Sequence, residues 1–431
     1  MSRRSVQVRG IVLTSFISIS ALALAACTPP MPPDVLAARA ESQIVCGTGT
    51  VEVATPGKFT GAMDYVGQAL TSVCPEQTTT EVPIGTPALV ELSERTPTPS
   101  VITDFQAASC PSDKVIVIPA FAYPVTIAYN VVGLEGLVFT PETVAGILNG
   151  TVTSWEDPLI ADENPDFDLT LLPDIALMSL ETPDGSVEAM TSWLTQQVPD
   201  LWSQGVSGTL DAGQKFATQE DLLLEMTSVE SSIAVMPIFT AFSNVLATAN
   251  LPVKGTDANG QEVDTVITTD DVQLYKVGSG ATTITTDEAG NILASPAVGG
   301  FPVEGNFDLA SSKIVLGEGA GLVGWPVEGY AHLLICDDGT DSALPLLYAQ
   351  YLVRLAGQGS LETFGVTPLP EPIRVQTFTP LRVTVNMDED VPMEEAGTVP
   401  NEAGVEEAIV DEEADLGIDP SEAEADPALV E

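Results

Sequence analysis

Residues 114–132 carry two apolar, β-branched runs, KVIVIPA and VTIAYNVV, each of strand length. A different spacing follows in TPETVAGILNG, where Pro141 stands at a helix start and Gly150 at its end. The stretch GSVEAMTSWLTQQV places Ala189, Met190, Trp193, Leu194 and Gln197 at helical spacing, and QEDLLLEMTSV predicts a further helix. Strands alternating with helices predict an α/β architecture. Between residues 251 and 306 the pattern shortens to alternating strands around Asn259-Gly260 and Gly290-Asn291, which predicts β-hairpins. A strand, YAHLLIC, and an amphipathic helix, ALPLLYAQYLVRLAG, close the patterned region, and no internal repeat is visible.

Composition changes this picture at both ends. The 431 residues, 44% of them hydrophobic, suffice for two domains with real cores. Against 61 acidic residues stand 14 basic ones, a net charge of -47. That balance argues against nucleic acid or anionic lipid head groups as partners and fits a solvated acidic surface. After Arg382 there is no Lys or Arg, and residues 386–431 have no aromatic, so this acidic tail is expected to be disordered. At the other end Arg3, Arg4 and Arg9 precede the apolar run GIVLTSFISISALALAA and the tetrapeptide LAAC. This is the pattern of a signal peptide over residues 1–26 closing on a lipobox. Cys27 is the expected lipidated residue of a bacterial extracytoplasmic protein, followed by a tether to residue 43.

Apart from Cys27 the cysteines are Cys46, Cys74, Cys110 and Cys336, an even set that predicts two disulfides in one of three connectivities. None is spaced like a zinc pair, and His332 is the only histidine, so neither metal nor cofactor is expected. A Ser/His/Asp site would have to use His332, which lies in an apolar run and reads as a buried structural histidine; no enzyme is expected. The run GAGLVG, residues 319–324, matches a dinucleotide fingerprint but meets Trp325-Pro326 where a helix should follow, and reads as a glycine-rich crossing loop. The acidic turns DANGQEVD and DDGTD lack the distant Glu of a calcium loop and read as surface turns.

One ordered set of features resembles a known family. Ile118-Pro119, Ala128-Tyr129-Asn130, the helix end at Ile147 to Gly150, and Trp155-Glu156-Asp157-Pro158 are followed by SSIAVMPIFTAF, GWPVEGYAHLLI and TPLP at 367–370. Together they resemble the PstS-like phosphate-binding lipoproteins of bacterial ABC importers. The resemblance implies a type II periplasmic-binding-protein fold, two α/β domains with a ligand cleft between them. It implies domain I at residues 44–122 and 320–385 and domain II at 123–319, which puts all four remaining cysteines in one domain. It also implies a small solute, an importer permease as partner, and anchoring to a membrane through the N-terminal lipid. The alternative reading is a ligand-free PstS-like scaffold acting in envelope protein interaction or assembly.

Four segments grip the ligand in that family, and the resemblance maps them unevenly. The first maps to Gly47, Thr48, Gly49 and Thr50; the second to Gly85 and Thr86, where Pro87 removes a backbone donor. The third maps to Thr103 and Asp104. The fourth is SLETPDGSVEAM, residues 179–190, where only Gly185 and Ser186 keep the family pattern at a helix entry. Such an entry attracts anions. The resemblance puts Leu180 at the family's arginine when aligned without gaps, and Glu181 or its neighbours there under a two-residue shift; in either register the arginine is gone, and Asp184 adds a carboxylate. A guanidinium pair to an anion contributes roughly 1.5 to 3 kcal/mol per charge-assisted bond, so its loss predicts weakened phosphate binding.

Overall fold

The computed structural model describes residues 40–256, 262–267, 282–296, 306–308, 313–315 and 325–383. The leader, Cys27, the turn at Asn259-Gly260, the glycine run 319–324 and the acidic tail lie outside the described residues. The strands before the hairpin region are β1 (Gly49–Thr55), β2 (Gln77–Pro83), β3 (Val90–Ser93), β4 (Lys114–Asn130), β5 (Ala176–Leu180), β6 (Gln214–Phe216), β7 (Ser232–Pro237) and β8 (Ala247–Thr248). Three antiparallel hairpins follow: β9 (Leu251–Thr256) with β10 (Glu262–Ile267), β11 (Thr282–Thr286) with β12 (Ile292–Pro296), and β13 (Asn306–Asp308) with β14 (Lys313–Val315). The last strand is β15 (Glu328–Asp337).

β4 organises the whole. The pattern suggested two strands here, but the structure keeps 17 residues extended, buried from Ile116 to Tyr129. Two prolines inside the run explain why it looked divided. Pro119 lies opposite His332, where the register slips between Ala331 and His332, and Pro124 is the last residue paired with β15 before β7 takes over at Val125. A proline donates no ladder hydrogen bond, so a bulge and a change of partner are the places where a sheet tolerates one.

The sheet order is β2-β1-β3-β15-β4-β7-β5-β6, with β8 also on β4. One half holds the parallel strands β2, β1 and β3, followed by antiparallel β15 and the first part of β4. The other half holds the second part of β4, antiparallel β7, and β5 and β6 parallel to β7 and to each other. Trp325, buried at the return crossing, donates from Nε1 to Val125 O at 2.7 Å.

Local chemistry sets the helix ends. Thr140 caps the helix Pro141–Leu148 by accepting from Thr143 N, and Gly150 beyond its end has φ 78°. The expected single closing helix splits in two, Leu344–Leu352 and Leu355–Phe364. The break lies where the buried Arg354 guanidinium donates to Ala40 O, Gln43 O and Gln350 O. Arg374 Nη1 pairs with Glu41 at 2.5 Å. Residues 40–43, read from sequence as tether, are therefore docked onto this arginine pair.

The disulfides are Cys46–Cys74 and Cys110–Cys336, one of the three connectivities open to the four cysteines, all of which lie in the β15-side half. His332 is fully buried under the β11–β12 hairpin, and its Nε2 accepts from Ala294 N at 3.0 Å. Burial pushes it from 6.5 down to about 4, so it is neutral near pH 7.

Candidate functional site

In a parallel sheet, ligands are met outside the carboxyl ends of the strands. Three charged side chains converge at those ends. Lys58 lies in the 3-10 turn Gly57–Phe59 after β1, Glu94 follows β3, and Asp184 caps the helix Gly185–Gln197 after β5. Lys58 Nζ stands 3.0 Å from Glu94 Oε2 and 2.5 Å from Asp184 Oδ2. Their side chains are 3%, 17% and 8% exposed, so the trio is largely out of water and its attraction is weakly screened.

The two carboxylates also consume the helix entry. Glu94 Oε1 accepts from Gly185 N at 3.0 Å, and Asp184 Oδ1 accepts from Ser186 N at 2.6 Å and Val187 N at 3.2 Å. The first three N–H groups of the helix, the donors an anion would use, thus already face the protein's own carboxylates. Gly185 is required by this approach: a Cβ there would stand 2.2 Å from Glu94 O and 2.4 Å from the Tyr123 hydroxyl. Tyr123, on β4, donates its hydroxyl to Glu94 O at 2.6 Å. Beside the trio, Arg95 Nη1 meets Glu188 Oε2 at 3.4 Å.

Protonation follows from this packing. Burial alone would push the Lys58 ammonium down, but Asp184 and Glu94 outweigh it and hold the group above its ordinary value. Burial and the neighbouring Asp184 raise Glu94 against the pull of Lys58. Asp184 is opposed by burial as well, yet the ammonium and two backbone N–H bonds hold it below the ordinary carboxylate range. Two like charges at one cation are pushed apart in affinity for a proton, as expected for a coupled pair. Burial and the surrounding carboxylates push Tyr123 well above its usual value, which keeps it a donor.

Around the trio the seam is apolar and filled. Phe59 contacts Phe121, Tyr123 and Phe239 with ring centroids 5.2, 5.1 and 5.8 Å apart, and Phe239 continues to Phe364 at 5.3 Å. The space at Lys58 and Asp184, bordered by Ser179, Leu180 and Met236, is a cavity of about 10 Å³, the size of one water rather than of a solute.

Of the residues proposed from sequence, Gly185 and Ser186 are in this cluster and the others are elsewhere. Thr48, Gly49 and Thr50 lie at the amino end of β1, where Thr48 donates to Glu76 and Thr50 shares a hydrogen bond with Thr78. Thr86 is exposed in the turn after β2, its N–H donating to Pro83 O. Thr103 and Asp104 lie on the exposed face of the helix Pro99–Ser109, with Thr103 Oγ1 bonded to Pro99 O. The residues missed were Lys58, Glu94, Arg95 and Tyr123. Lys58 had a signal: it is the only Lys or Arg between Arg39 and Arg95, set in a Pro-Gly loop directly after a strand.

No family model matches the chain. It is 31% identical over 96 residues to "Phosphate-binding protein PstS2" of Mycobacterium bovis, a match spanning 22% of this chain and 26% of that one. To "Phosphate-binding protein PstS 3" of Mycobacterium leprae it is 23% identical over 266 residues, 61% of this chain and 65% of the relative. By sequence the chain is similar to PstS proteins over these stretches. The matches thus span between a quarter and two thirds of the relatives' lengths, and both relatives are named as binding proteins rather than enzymes. Among solved structures, an ancestral soluble variant of the human phosphate-binding protein aligns with this PstS-like chain at TM-score 0.49 and 14% identity, covering 76% of the chain and 93% of that structure. A phosphate ABC transporter substrate-binding protein from Clostridium perfringens aligns at TM-score 0.45 and 9% identity, covering 75% and 100%.

Proposed function

We propose that this chain is an extracytoplasmic solute-binding lipoprotein of ABC-importer type whose cleft does not take free phosphate as its ligand. The observation that carries the reading is the Lys58–Glu94–Asp184 trio: Lys58, a buried cation at the helix entry, is already paired twice, and the entry's N–H groups face carboxylates. Phosphate would have to separate these charges before gaining any contact of its own. In this reading the halves on either side of Pro124 are the two domains, at about residues 44–122 with 320–385 and 123–319. The cleft opens at the Lys58 trio, Cys27 carries the lipid, and a permease receives the solute.

Calorimetric titration of phosphate into the mature full chain tests the ligand. We expect no heat and no change in melting temperature at neutral pH; micromolar binding would overturn the exclusion of phosphate. A screen of polar organic solutes by small-angle scattering then tests the receptor itself, since a closing solute contracts the molecule. The self-sufficiency of the trio favours one second reading, a ligand-free envelope scaffold. A small molecule that co-purifies with the chain in native mass spectrometry would eliminate it.

A further inference from the structure

The Glu94 carboxylate has the surroundings of a bound ligand. It bridges from the β15-side half to the helix entry of the other half, with Lys58 Nζ at 3.0 Å from one oxygen and Gly185 N at 3.0 Å from the other. A cation on one oxygen and a helix N–H on the other is the environment in which proteins hold small oxyanions. Next to Gly185, Ser186 is fully buried and its Oγ has no hydrogen-bond partner among the described residues. A buried hydroxyl without a partner is uncommon, and this one lies one residue beyond the N–H that Glu94 holds.

We propose that Glu94 is the specificity-determining residue of the cleft: its side chain occupies an oxyanion cradle made by Lys58 and Gly185 N–H, and so excludes free small anions from it. The proposal rests on the reading that phosphate is not the ligand, and goes beyond it by naming the group responsible and the chemical class it displaces. Substituting Glu94 by Ala removes a CH₂–COO⁻ unit, the size of acetate, and leaves the cradle vacant with Lys58 paired to Asp184 alone. The Glu94 main-chain carbonyl that accepts from Tyr123 is untouched by the change. In Glu94→Gln the amide oxygen still reaches Gly185 N–H and the space stays filled.

The test is chemical rescue in the full mature chain. Melting temperature is measured for wild type, Glu94→Ala, Glu94→Gln and the double variant Lys58→Met/Glu94→Ala, in acetate or phosphate against chloride at equal ionic strength. Glu94→Ala should melt lower than wild type and recover by on the order of 3 °C in acetate at several times its dissociation constant, with phosphate also binding. Wild type and Glu94→Gln should not respond, and loss of Lys58 should abolish the rescue. A folded Glu94→Ala that ignores both anions overturns the proposal, as does rescue that survives without Lys58. Should Glu94→Ala fail to fold in chloride, folding restored by acetate supports the proposal, and failure in both salts counts against it. Tight phosphate binding by wild type would instead sink the functional reading, so the two failures are distinguishable.

Discussion

Two places in this chain carry the same charge pattern, one cation between two carboxylates, and differ in nearly everything else. In the seam between the sheet halves Lys58, 3% exposed, holds Glu94 and Asp184; at the end of β15 Arg382, 30% exposed, holds Asp337 and Asp341, the latter 74% exposed. Arg382 is bonded to both oxygens of Asp337, at 2.9 and 2.7 Å, and to Asp341 at 2.8 Å, and so has the better geometry. Geometry is not what separates them. Asp337 is as buried as Asp184, but water reaches Arg382 and Asp341 and would solvate them if a partner were lost, whereas the buried Lys58 has no such alternative. The buried trio therefore acts as a lock between the sheet halves, and the exposed one only fixes a turn.

The largest test of that contrast removes the buried cation. Lys58→Met leaves two carboxylates in an apolar seam, and breaking a buried pair on one side costs about 3–5 kcal/mol. Urea denaturation at neutral pH should show a loss of that order. A loss under about 1 kcal/mol would place the cleft trio in the same screened class as Arg382.

The next test separates buried histidine from both trios by pH. His332 is neutral in the fold at about 4 against an ordinary 6.5, so the unfolded chain binds a proton that the fold refuses between those values. Its contribution is present above pH 6.5 and lost as pH falls toward 4, about 3 kcal/mol in all. His332→Gln, which retains an acceptor for Ala294 N, should flatten stability across that window. Asp337 has the opposite cause and a lower window. Its bonds to Arg382 hold it below 3.8, so that contribution is lost only as pH falls through the depressed value. Stability curves of the variant and wild type that remain parallel from pH 6.5 to 4 would refute the assignment to His332.

Much of this architecture was legible in the chain because local rules set it. Pro141 and Gly150 mark a helix, Gly290-Asn291 a hairpin, and residues 185–197 a helix whose first residues were singled out at once. The site was only half legible, for a topological reason. Lys58 and Asp184 are 126 residues apart in sequence and meet only because β1 and β5 lie in the same sheet and both end at the seam between its halves. Thr48 to Thr50 have the composition of an anion loop but lie at the amino end of β1, and a strand's direction puts its first residue at the far end from its last. By sequence Asp184 is only a carboxylate added at the helix entry. Its partner Lys58 makes it part of an internal ion pair, which no local pattern announces.

The smallest effect belongs to Arg382→Ala, and it tests the contrast from the other side. Arg382 has φ 51°, a left-handed conformation, and alanine retains the Cβ that makes it costly, so the substitution reads the guanidinium alone. Asp337 still accepts from Gly339 N at 3.0 Å, and Asp341 is already mostly in water, so neither carboxylate is stranded. The expected loss is at most about 1 kcal/mol, and it should shrink as salt is raised through molar concentrations. A loss matching that of Lys58→Met would mean that the turn after β15 is as dry as the cleft. Burial would then no longer distinguish the two trios, and the case for Lys58 as a lock would have to rest on its position between the sheet halves.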